Sequence, residues 1–290
     1  MKAFMFPGQG SQKVGMGGDL FDEFSEYTAQ ADEILGYSIK DLCLEDKEEQ
    51  LGHTQFTQPA LYVVNALSYF KRLKDGEDKP DYVIGHSLGE FNALLAAECF
   101  DFATGLRLVQ KRGELMSQAS GGGMAAITNG SAEQIKQVLV DNELTDIDMA
   151  NYNTLAQTVI SGPKAAIEGC KDLFVEAGMK FHPLATSGAF HSRHMNESEQ
   201  AFTAFLNEFE VSAPSIPVIA NVTAKPYEND KLVDTLSSQI SSSVRWVETV
   251  CYLKDVAKAQ EAQMEFVEVG HGKVLAGLVK RIDRELRPKK

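Results

Sequence analysis

The chain has 290 residues, 43% of them hydrophobic, and a net charge of -13 from 28 basic and 41 acidic residues. This composition favours a packed soluble protein over a disordered one and leaves room for one large domain with an insertion, or for two domains. The acidic balance disfavours general binding to nucleic acid or to an anionic membrane surface. No apolar run reaches membrane-spanning length, and Pro7-Gly8 interrupts the start of the chain before a signal-peptide core could form. We therefore expect a cytoplasmic protein.

The cysteines do not form a recognisable metal or disulfide pattern. They are far apart, no C-x-x-C pair occurs, and the histidines are not clustered. Neither a zinc site nor a disulfide framework is indicated, and we expect reduced thiols and no metal. The four cysteines are Cys43, Cys99, Cys170 and Cys251.

The first predicted elements are a short buried strand over residues 3–6 and the glycine-rich turn that follows it. The turn lacks both G-x-x-x-x-G-K-[ST] and G-x-G-x-x-G, so a nucleotide site is not indicated. We interpret it as a loop that brings backbone N–H groups close to a site. An amphipathic helical pattern covers residues 19–46, and a second helix is predicted to begin at Gln58-Pro59, because proline suits the first helical position.

The most informative stretch is residues 81–93, DYVIGHSLGEFNA, where G-x-S-x-G lies between a predicted strand and a predicted helix. A serine on such a turn presents its hydroxyl at the carboxyl end of the strand, in front of the helix N-terminus. Ser87 is therefore a candidate nucleophile, and the alternative is a glycine-flanked serine that only caps the helix. A further helix is predicted over residues 102–117. The alternation of strands and helices predicts an α/β fold with a largely parallel sheet covered on both faces.

After Gly121-Gly122-Gly123 the predicted elements have the order β-α-β-β-α-β. This is the order of the ferredoxin-like split βαβ unit, so we predict a small ferredoxin-like subdomain inserted into the large one. The predicted small subdomain spans residues 123–185, and the large subdomain comprises residues 1–122 and 186–290. In the returning part of the large subdomain, helices are predicted over residues 202–209, 232–240 and 274–286, and strands over 218–221 and 264–269.

A nucleophilic serine needs a base, most often histidine. His191 follows the predicted insertion directly, where the chain returns to the mouth of the large subdomain, and is the favoured candidate; His194 and His271 remain alternatives. His86 is expected to shape the turn beside Ser87. The acids between Ser87 and His191 belong mostly to the small subdomain, so we expect a dyad whose histidine is oriented by something other than a carboxylate.

Arg112 lies in a predicted helix beside Leu108, Val109, Leu115 and Met116. One interpretation is surface charge above an apolar stem. In the other, the side chain faces the pocket, where a guanidinium can bind a carboxylate through two parallel hydrogen bonds. The sequence pattern alone leaves both open.

Several segments together resemble the malonyl-CoA:acyl carrier protein transacylases and the related acyltransferases of polyketide synthesis. In chain order these segments are PGQGSQ, FTQPA, GHSLGE, QKRGELM, AFHS, SVRW and EVGHGKVLAGL. The resemblance runs nearly end to end, and it implies an α/β-hydrolase-like large subdomain with a ferredoxin-like small one. His271 stands where the family usually has proline, and we interpret it as shaping its loop.

The resemblance also implies roles for individual residues. Ser87 would be the acylated nucleophile, His191 the general base and Arg112 the ligand of the malonyl carboxylate. In this family, a phenylalanine before the catalytic histidine accompanies specificity for malonyl, and a serine there accompanies specificity for methylmalonyl. Phe190 therefore implies malonyl as the substrate group. The other implied residues are Gln9 and Leu88 as backbone donors of the oxyanion hole, Gln239 as the backbone carbonyl that orients the histidine, and Phe190 and His86 in the substrate pocket.

The resemblance implies transfer of a malonyl group from malonyl-CoA to the phosphopantetheine thiol of an acyl carrier protein, with no bound cofactor. The form of GHSLGEFNAL favours a free-standing enzyme that loads a polyketide synthase in trans. Alternatives are the malonyl transacylase of fatty-acid synthesis, a serine hydrolase that clears carrier proteins, and a docking subunit without activity. We expect a monomer. A patch that attracts the acidic carrier protein is predicted at Arg193, Lys225, Lys273, Lys280 and Arg281.

Overall fold

A computed structural model describes residues 1–287 of the chain. The strands are β1 (Lys2–Phe6), β2 (Tyr82–Gly85), β3 (Gly122–Thr128), β4 (Asp148–Thr154), β5 (Gln157–Pro163), β6 (Lys180–Pro183), β7 (Val218–Ile219) and β8 (Glu265–Glu268). The helices are α1 (Leu20–Glu23), α2 (Ser25–Leu35), α3 (Ile39–Leu44), α4 (Thr54–Lys74), α5 (Gly89–Ala96), α6 (Phe102–Gln118), α7 (Ala132–Asp141), α8 (Lys164–Gly169), α9 (Lys171–Glu176), α10 (Asn196–Leu206), α11 (Leu232–Ser238), α12 (Trp246–Ala259) and α13 (Val274–Glu285).

One sheet is parallel and has the strand order β7-β2-β1-β8. Side chains of β1 alternate between two cores: Phe4 and Phe6 pack in one hydrophobic cluster, whereas Ala3 and Met5 pack in another. Both faces of this sheet are therefore buried, as is usual when helices cover a parallel sheet. The carboxyl ends of β1 and β2 lie side by side, because Phe6 pairs with Gly85.

The other sheet is antiparallel, with the order β4-β5-β3-β6 and a hydrophobic core of its own. In sequence it reads β-α-β-β-α-β, with α8 and α9 together in the place of the second helix, and this is the ferredoxin-like arrangement. The predicted α/β fold class is confirmed. The antiparallel unit begins at Gly122 and ends at Pro183, and its treatment as a subdomain over residues 123–185 stays a prediction.

The antiparallel sheet is joined to the rest of the chain by backbone hydrogen bonds. The Val244 N–H donates to the Ala150 carbonyl at 2.8 Å, and the Tyr152 N–H donates to the Val244 carbonyl at 2.9 Å. Helices α12 and α13 also pack against β4. The inner edge of the small sheet is thus held beside the large one, and a pocket forms between them.

Several sequence predictions of helices were wrong. The helical pattern over residues 19–46 forms three helices: Phe24 separates α1 from α2, and Gly36 ends α2 in the left-handed conformation with φ 80°. Helix α4 begins at Thr54, well before Pro59, and the turn before the proline is held by the Thr57 N–H donating to the His53 carbonyl. Helix α12 was not predicted. Within residues 1–287, none of the helices combines the length and apolar character that a membrane span requires.

Candidate active site

Ser87 lies on a sharp turn between β2 and α5 that only glycine neighbours permit. A Cβ atom on Gly85 would lie 2.0 Å from the backbone carbon of Gly89, and one on Gly89 would lie 1.9 Å from the Phe6 carbonyl oxygen. Ser87 itself has φ 51°, a left-handed conformation that is strained for a residue with a side chain. The close crossing of strand, turn and helix therefore fixes where the hydroxyl points.

Ser87 and His191 form a hydrogen-bonded pair. The Ser87 Oγ lies 2.8 Å from Nε2 of His191, and the opposite ring nitrogen, Nδ1, lies 2.9 Å from the Gln239 carbonyl oxygen and 3.2 Å from that of Ser242. Two carbonyl acceptors place the proton on Nδ1, so Nε2 is free to accept one. Burial, assisted by the positive charge of Arg112, lowers the pKa of His191 to about 3. The imidazole is neutral at physiological pH.

Arg112 faces the pocket rather than solvent and is only 1% exposed. Its Nη1 donates to Oε1 of Gln58 at 2.7 Å, and its Nη2 donates to Oε1 of Gln239 at 2.7 Å and to Oγ of Ser87 at 3.2 Å. Burial lowers the pKa of Arg112 to about 10, opposed by the carboxylate of Glu90. The guanidinium thus stays charged at neutral pH and touches the candidate nucleophile, which excludes the surface-charge interpretation.

The loop after β1 packs directly against the Ser87 turn. A Cβ atom on Gly8 would lie 2.3 Å from the His86 carbonyl oxygen, so glycine is required for this contact. Gln9 and Leu88 both line the pocket. In the described part of the chain, neither of their backbone N–H groups donates a backbone hydrogen bond. Two such donors near a serine hydroxyl are suited to stabilising an oxyanion.

The pocket above Ser87 has a volume of about 110 Å³. Phe190 is buried in its wall, and His86 lines it with Nε2 2.8 Å from Oδ1 of Asn153. Burial lowers the pKa of His86. The small sheet and the segment after it contribute the opposite wall. The lining residues on that side are Met124, Asn151, Leu184 and Thr186.

Several other predicted residues lie elsewhere. His271 and His194 do not line the pocket, and the Nε2 of His194 lies 2.8 Å from the Asp146 carbonyl oxygen. Within the predicted basic patch, Arg193 is paired with the carboxylate of Asp148 through its Nε at 3.0 Å, and the Lys225 ammonium lies 4.4 Å from the centre of the Tyr252 ring. The charge of Arg193 is therefore already balanced within the chain.

Sequence reasoning missed four buried polar residues that surround the Ser87 turn. Asn221 accepts the Ser87 N–H at 2.8 Å and donates to the Gly85 carbonyl at 2.6 Å. Glu90 is fully buried behind it. The sequence contained one signal for this residue, because Glu90 is a charged residue within the apolar run LGEFNALLAA. A glutamate is almost never fully buried unless it is paired, so its position in such a run indicates buried hydrogen-bond partners. The other two are Gln58, which contacts Arg112, and Tyr227, which contacts Glu90.

The parallel sheet, the strained serine turn and the serine–histidine pair are the arrangement found in enzymes of α/β-hydrolase-like architecture that use a serine nucleophile. Comparison with known proteins narrows this class. Residues 3–286 match the family described as acyl transferase domain. The chain belongs to this family.

Similar proteins cover essentially the whole chain. It is 56% identical over 288 residues to the polyketide biosynthesis malonyl CoA-acyl carrier protein transacylase PksC of Bacillus subtilis, with 98% of each chain covered. A crystal structure of malonyl CoA-acyl carrier protein transacylase from Burkholderia pseudomallei superposes with a TM-score of 0.96 at 54% identity, covering 100% of this chain and 99% of that one. A type II PKS acyl-carrier protein in complex with its malonyl-transacylase matches with a TM-score of 0.90 at 34% identity, covering 98% of this chain and 93% of that one.

Proposed function

We propose that this chain transfers a malonyl group from malonyl-CoA to the phosphopantetheine thiol of an acyl carrier protein, through an ester on Ser87. The observation that carries the proposal is the buried guanidinium of Arg112, with Nη2 3.2 Å from the Ser87 Oγ. A cation at this distance from a nucleophile calls for a substrate whose acyl group carries its own carboxylate. Malonyl is such a group, and the similarity to PksC supports this choice.

In the first half-reaction His191 acts as general base. Its Nε2 takes the proton of the Ser87 hydroxyl as the Oγ attacks the thioester carbonyl of malonyl-CoA. The negative charge that develops on the carbonyl oxygen is stabilised by the backbone N–H groups of Gln9 and Leu88. The carbon–sulfur bond then breaks, the proton on Nε2 passes to the leaving thiolate, and CoA departs as a free thiol.

In the second half-reaction the same groups act on a new thiol. His191 removes the proton of the phosphopantetheine thiol, and the sulfur attacks the carbonyl carbon of malonyl-Ser87. The ester bond breaks and Ser87 recovers its proton from Nε2. The Gln239 carbonyl holds Nδ1–H throughout, so the histidine keeps one tautomer without the carboxylate of a triad. No cofactor beyond the acyl-CoA donor takes part.

Selectivity arises from the cost of leaving Arg112 without an anion. A buried charge that loses its partner is strongly unfavourable, so an acetyl group, which has no carboxylate, should load poorly. Phe190 restricts the space beside the acyl chain and favours malonyl over methylmalonyl. The identity to a polyketide transacylase supports a free-standing enzyme that loads a polyketide synthase in trans.

Intact-mass measurement tests both half-reactions. After mixing with malonyl-CoA the protein should gain the mass of one malonyl group, and holo carrier protein should then remove it and gain it in turn. Ser87→Ala should take up nothing. A mass gain that survives in Ser87→Ala would overturn the proposal, and rapid release of free malonate without a carrier protein would indicate a hydrolase instead.

A further inference from the structure

A buried acid lies directly behind the candidate site without touching the histidine. Glu90 is 0% exposed in the first turn of α5, three residues after Ser87. Its Oε1 accepts the Tyr227 hydroxyl at 2.7 Å and the Asn221 backbone N–H at 2.9 Å. Its Oε2 accepts Nε2 of Gln239 at 2.5 Å. The carboxylate thus receives donors on both oxygens and has no direct role in proton transfer.

Gln239 connects this acid to the rest of the site. Its Nε2 also donates to the Ser87 carbonyl at 2.8 Å, its Oε1 accepts from Arg112 at 2.7 Å, and its main-chain carbonyl accepts from His191 at 2.9 Å. Gln239 is itself 0% exposed, so water does not compete for these bonds. One residue therefore touches the nucleophile's backbone, the substrate-binding cation and the base.

The orientation of the Gln239 amide follows from the charges on its two sides. An ionised carboxylate only accepts hydrogen bonds and a guanidinium only donates them. If the amide were turned over, its oxygen would face Glu90 and its NH₂ would face Arg112, so two contacts would become repulsive. Glu90 and Arg112 together allow a single orientation.

We propose that Glu90 is a positioning residue for acyl-group selectivity: it holds the Gln239 amide so that Oε1 faces Arg112 and keeps the guanidinium over Ser87. This inference rests on the proposed malonyl transfer. A glutamine at position 90 has nearly the same shape but cannot accept on both sides. If the oxygen of this new glutamine accepts from Tyr227 and Asn221, its NH₂ group faces the NH₂ group of Gln239. The Gln239 amide then turns over, and Arg112 loses the oxygen that accepts its hydrogen bond.

The test is a competition at pH 8 between equal concentrations of malonyl-CoA and acetyl-CoA, read as the ratio of the two acyl-enzymes by intact mass. Because both forms come from the same folded molecules, any unfolded fraction cancels. We expect Glu90→Gln to lower the malonyl-to-acetyl ratio about tenfold. Glu26→Gln is the matched control: it makes the same exchange at an exposed position in the first turn of α2, away from Gln239, and should change the ratio less than about twofold.

The same substitution made in the Arg112→Ala variant separates a positioning role of Glu90 from a general disturbance of the site. In Arg112→Ala the guanidinium is absent, so adding Glu90→Gln should not change the ratio further. The positioning role would be overturned if Glu90→Gln lowered the ratio by the same factor in the wild-type protein and in Arg112→Ala. It would also be overturned if Glu90→Gln alone left the ratio unchanged. If Glu90→Gln forms no acyl-enzyme, Glu90→Asp replaces it. Its carboxylate is one methylene shorter and cannot reach both Tyr227 and Gln239, so the ratio should again fall, and an unchanged ratio overturns the inference.

The same experiment distinguishes failure of this inference from failure of the proposed function. If the wild-type protein takes up malonyl and Glu90→Gln keeps the wild-type malonyl-to-acetyl ratio, only the proposed role of Glu90 is overturned. Wild-type protein that takes up no malonyl would overturn both.

Discussion

The two walls of the pocket are built differently. The elbow wall, which consists of Ser87, Arg112 and His191, is polar and hydrogen-bonded, and each of its side chains contacts at least one other member of the wall. The small-sheet wall, which consists of Met124, Asn151, Leu184 and Thr186, has two apolar and two polar residues, and neither polar side chain makes a hydrogen bond within residues 1–287. Its Thr186 hydroxyl is buried without a partner among residues 1–287, and Leu184 is 39% exposed.

This difference indicates that the two walls have different functions. Reacting and charge-binding groups need fixed positions, and an interlocked set of buried hydrogen bonds supplies them. A wall with few polar contacts can instead follow the shape of whichever thioester enters. We therefore expect substitutions in the elbow wall to reduce chemistry and selectivity strongly, and substitutions in the small-sheet wall to have small effects.

The largest effect is expected from His191→Ala, which removes the proposed general base of the elbow wall. Without it the Ser87 hydroxyl is not activated, and the rate of malonyl-enzyme formation should fall about 10³-fold. Rapid mixing with intact-mass detection measures this rate. His194→Ala is the control, because that ring contacts the Asp146 carbonyl outside the pocket. An equal loss in both variants would contradict the assignment of the base.

A smaller loss is expected for Arg112→Lys. An ammonium keeps the charge but cannot hold Gln58, Gln239 and a substrate carboxylate at once, so kcat/KM for malonyl-CoA should fall about 10²-fold. Arg107→Lys makes the same exchange at an exposed position of the same helix and should leave kcat/KM unchanged. If Arg112→Lys retains wild-type kcat/KM, the two-hydrogen-bond recognition of the carboxylate is wrong.

The pH profile compares His191 in the elbow wall with Glu90 behind it. Burial raises the pKa of Glu90 to about 7, opposed by its bonds to Tyr227, Asn221 and Gln239 and by the charge of Arg112. The pKa of His191 is lowered to about 3. As pH falls through about 7, Glu90 gains a proton while His191 stays neutral, so malonyl-enzyme formation should decline near pH 7.

Glu90→Gln tests the assignment of that decline. The variant has no carboxyl group to titrate at this position, so its acylation rate should stay level from pH 8 to pH 5.5, measured by the same rapid-mixing assay. An inflection near pH 6.5 that remains in Glu90→Gln would belong to His191 and would show that its pKa is not lowered.

The smallest effect is expected in the small-sheet wall, for Thr186→Val. Replacing a hydroxyl that has no partner by a methyl group of similar size should change the free energy of unfolding by less than about 0.5 kcal/mol and the acylation rate by less than about twofold. Thr154→Val is the comparison, since that hydroxyl donates to Glu285 at 3.2 Å and its loss should cost about 1 kcal/mol. Chemical denaturation measures both. A larger effect at Thr186 would show that its hydroxyl takes part in binding.

The sequence by itself determined the parts of this protein that depend on neighbouring residues. The Ser87 turn follows from G-x-S-x-G, because the crossing of β2 and α5 needs glycine within a few residues of the serine. The order β-α-β-β-α-β likewise identified the antiparallel sheet. Local signals were weaker where tertiary packing competes with them: α12 was missed, and the start of α4 was placed at the proline.

Only the tertiary structure decided how the site is held together. Whether Arg112 faces solvent or the pocket depends on Gln58 and Gln239, which lie 54 and 127 residues away in the sequence. The contact between Gln239 and the Ser87 carbonyl spans 152 residues. Glu90 interrupts an apolar run in the sequence, but the partners that allow its burial, Asn221, Tyr227 and Gln239, come from distant elements. Periodicity and spacing in the sequence report on residues that are close together along the chain. Hydrogen bonds between distant segments form only when the sheet and its loops bring those segments together, so the sequence pattern does not reveal them.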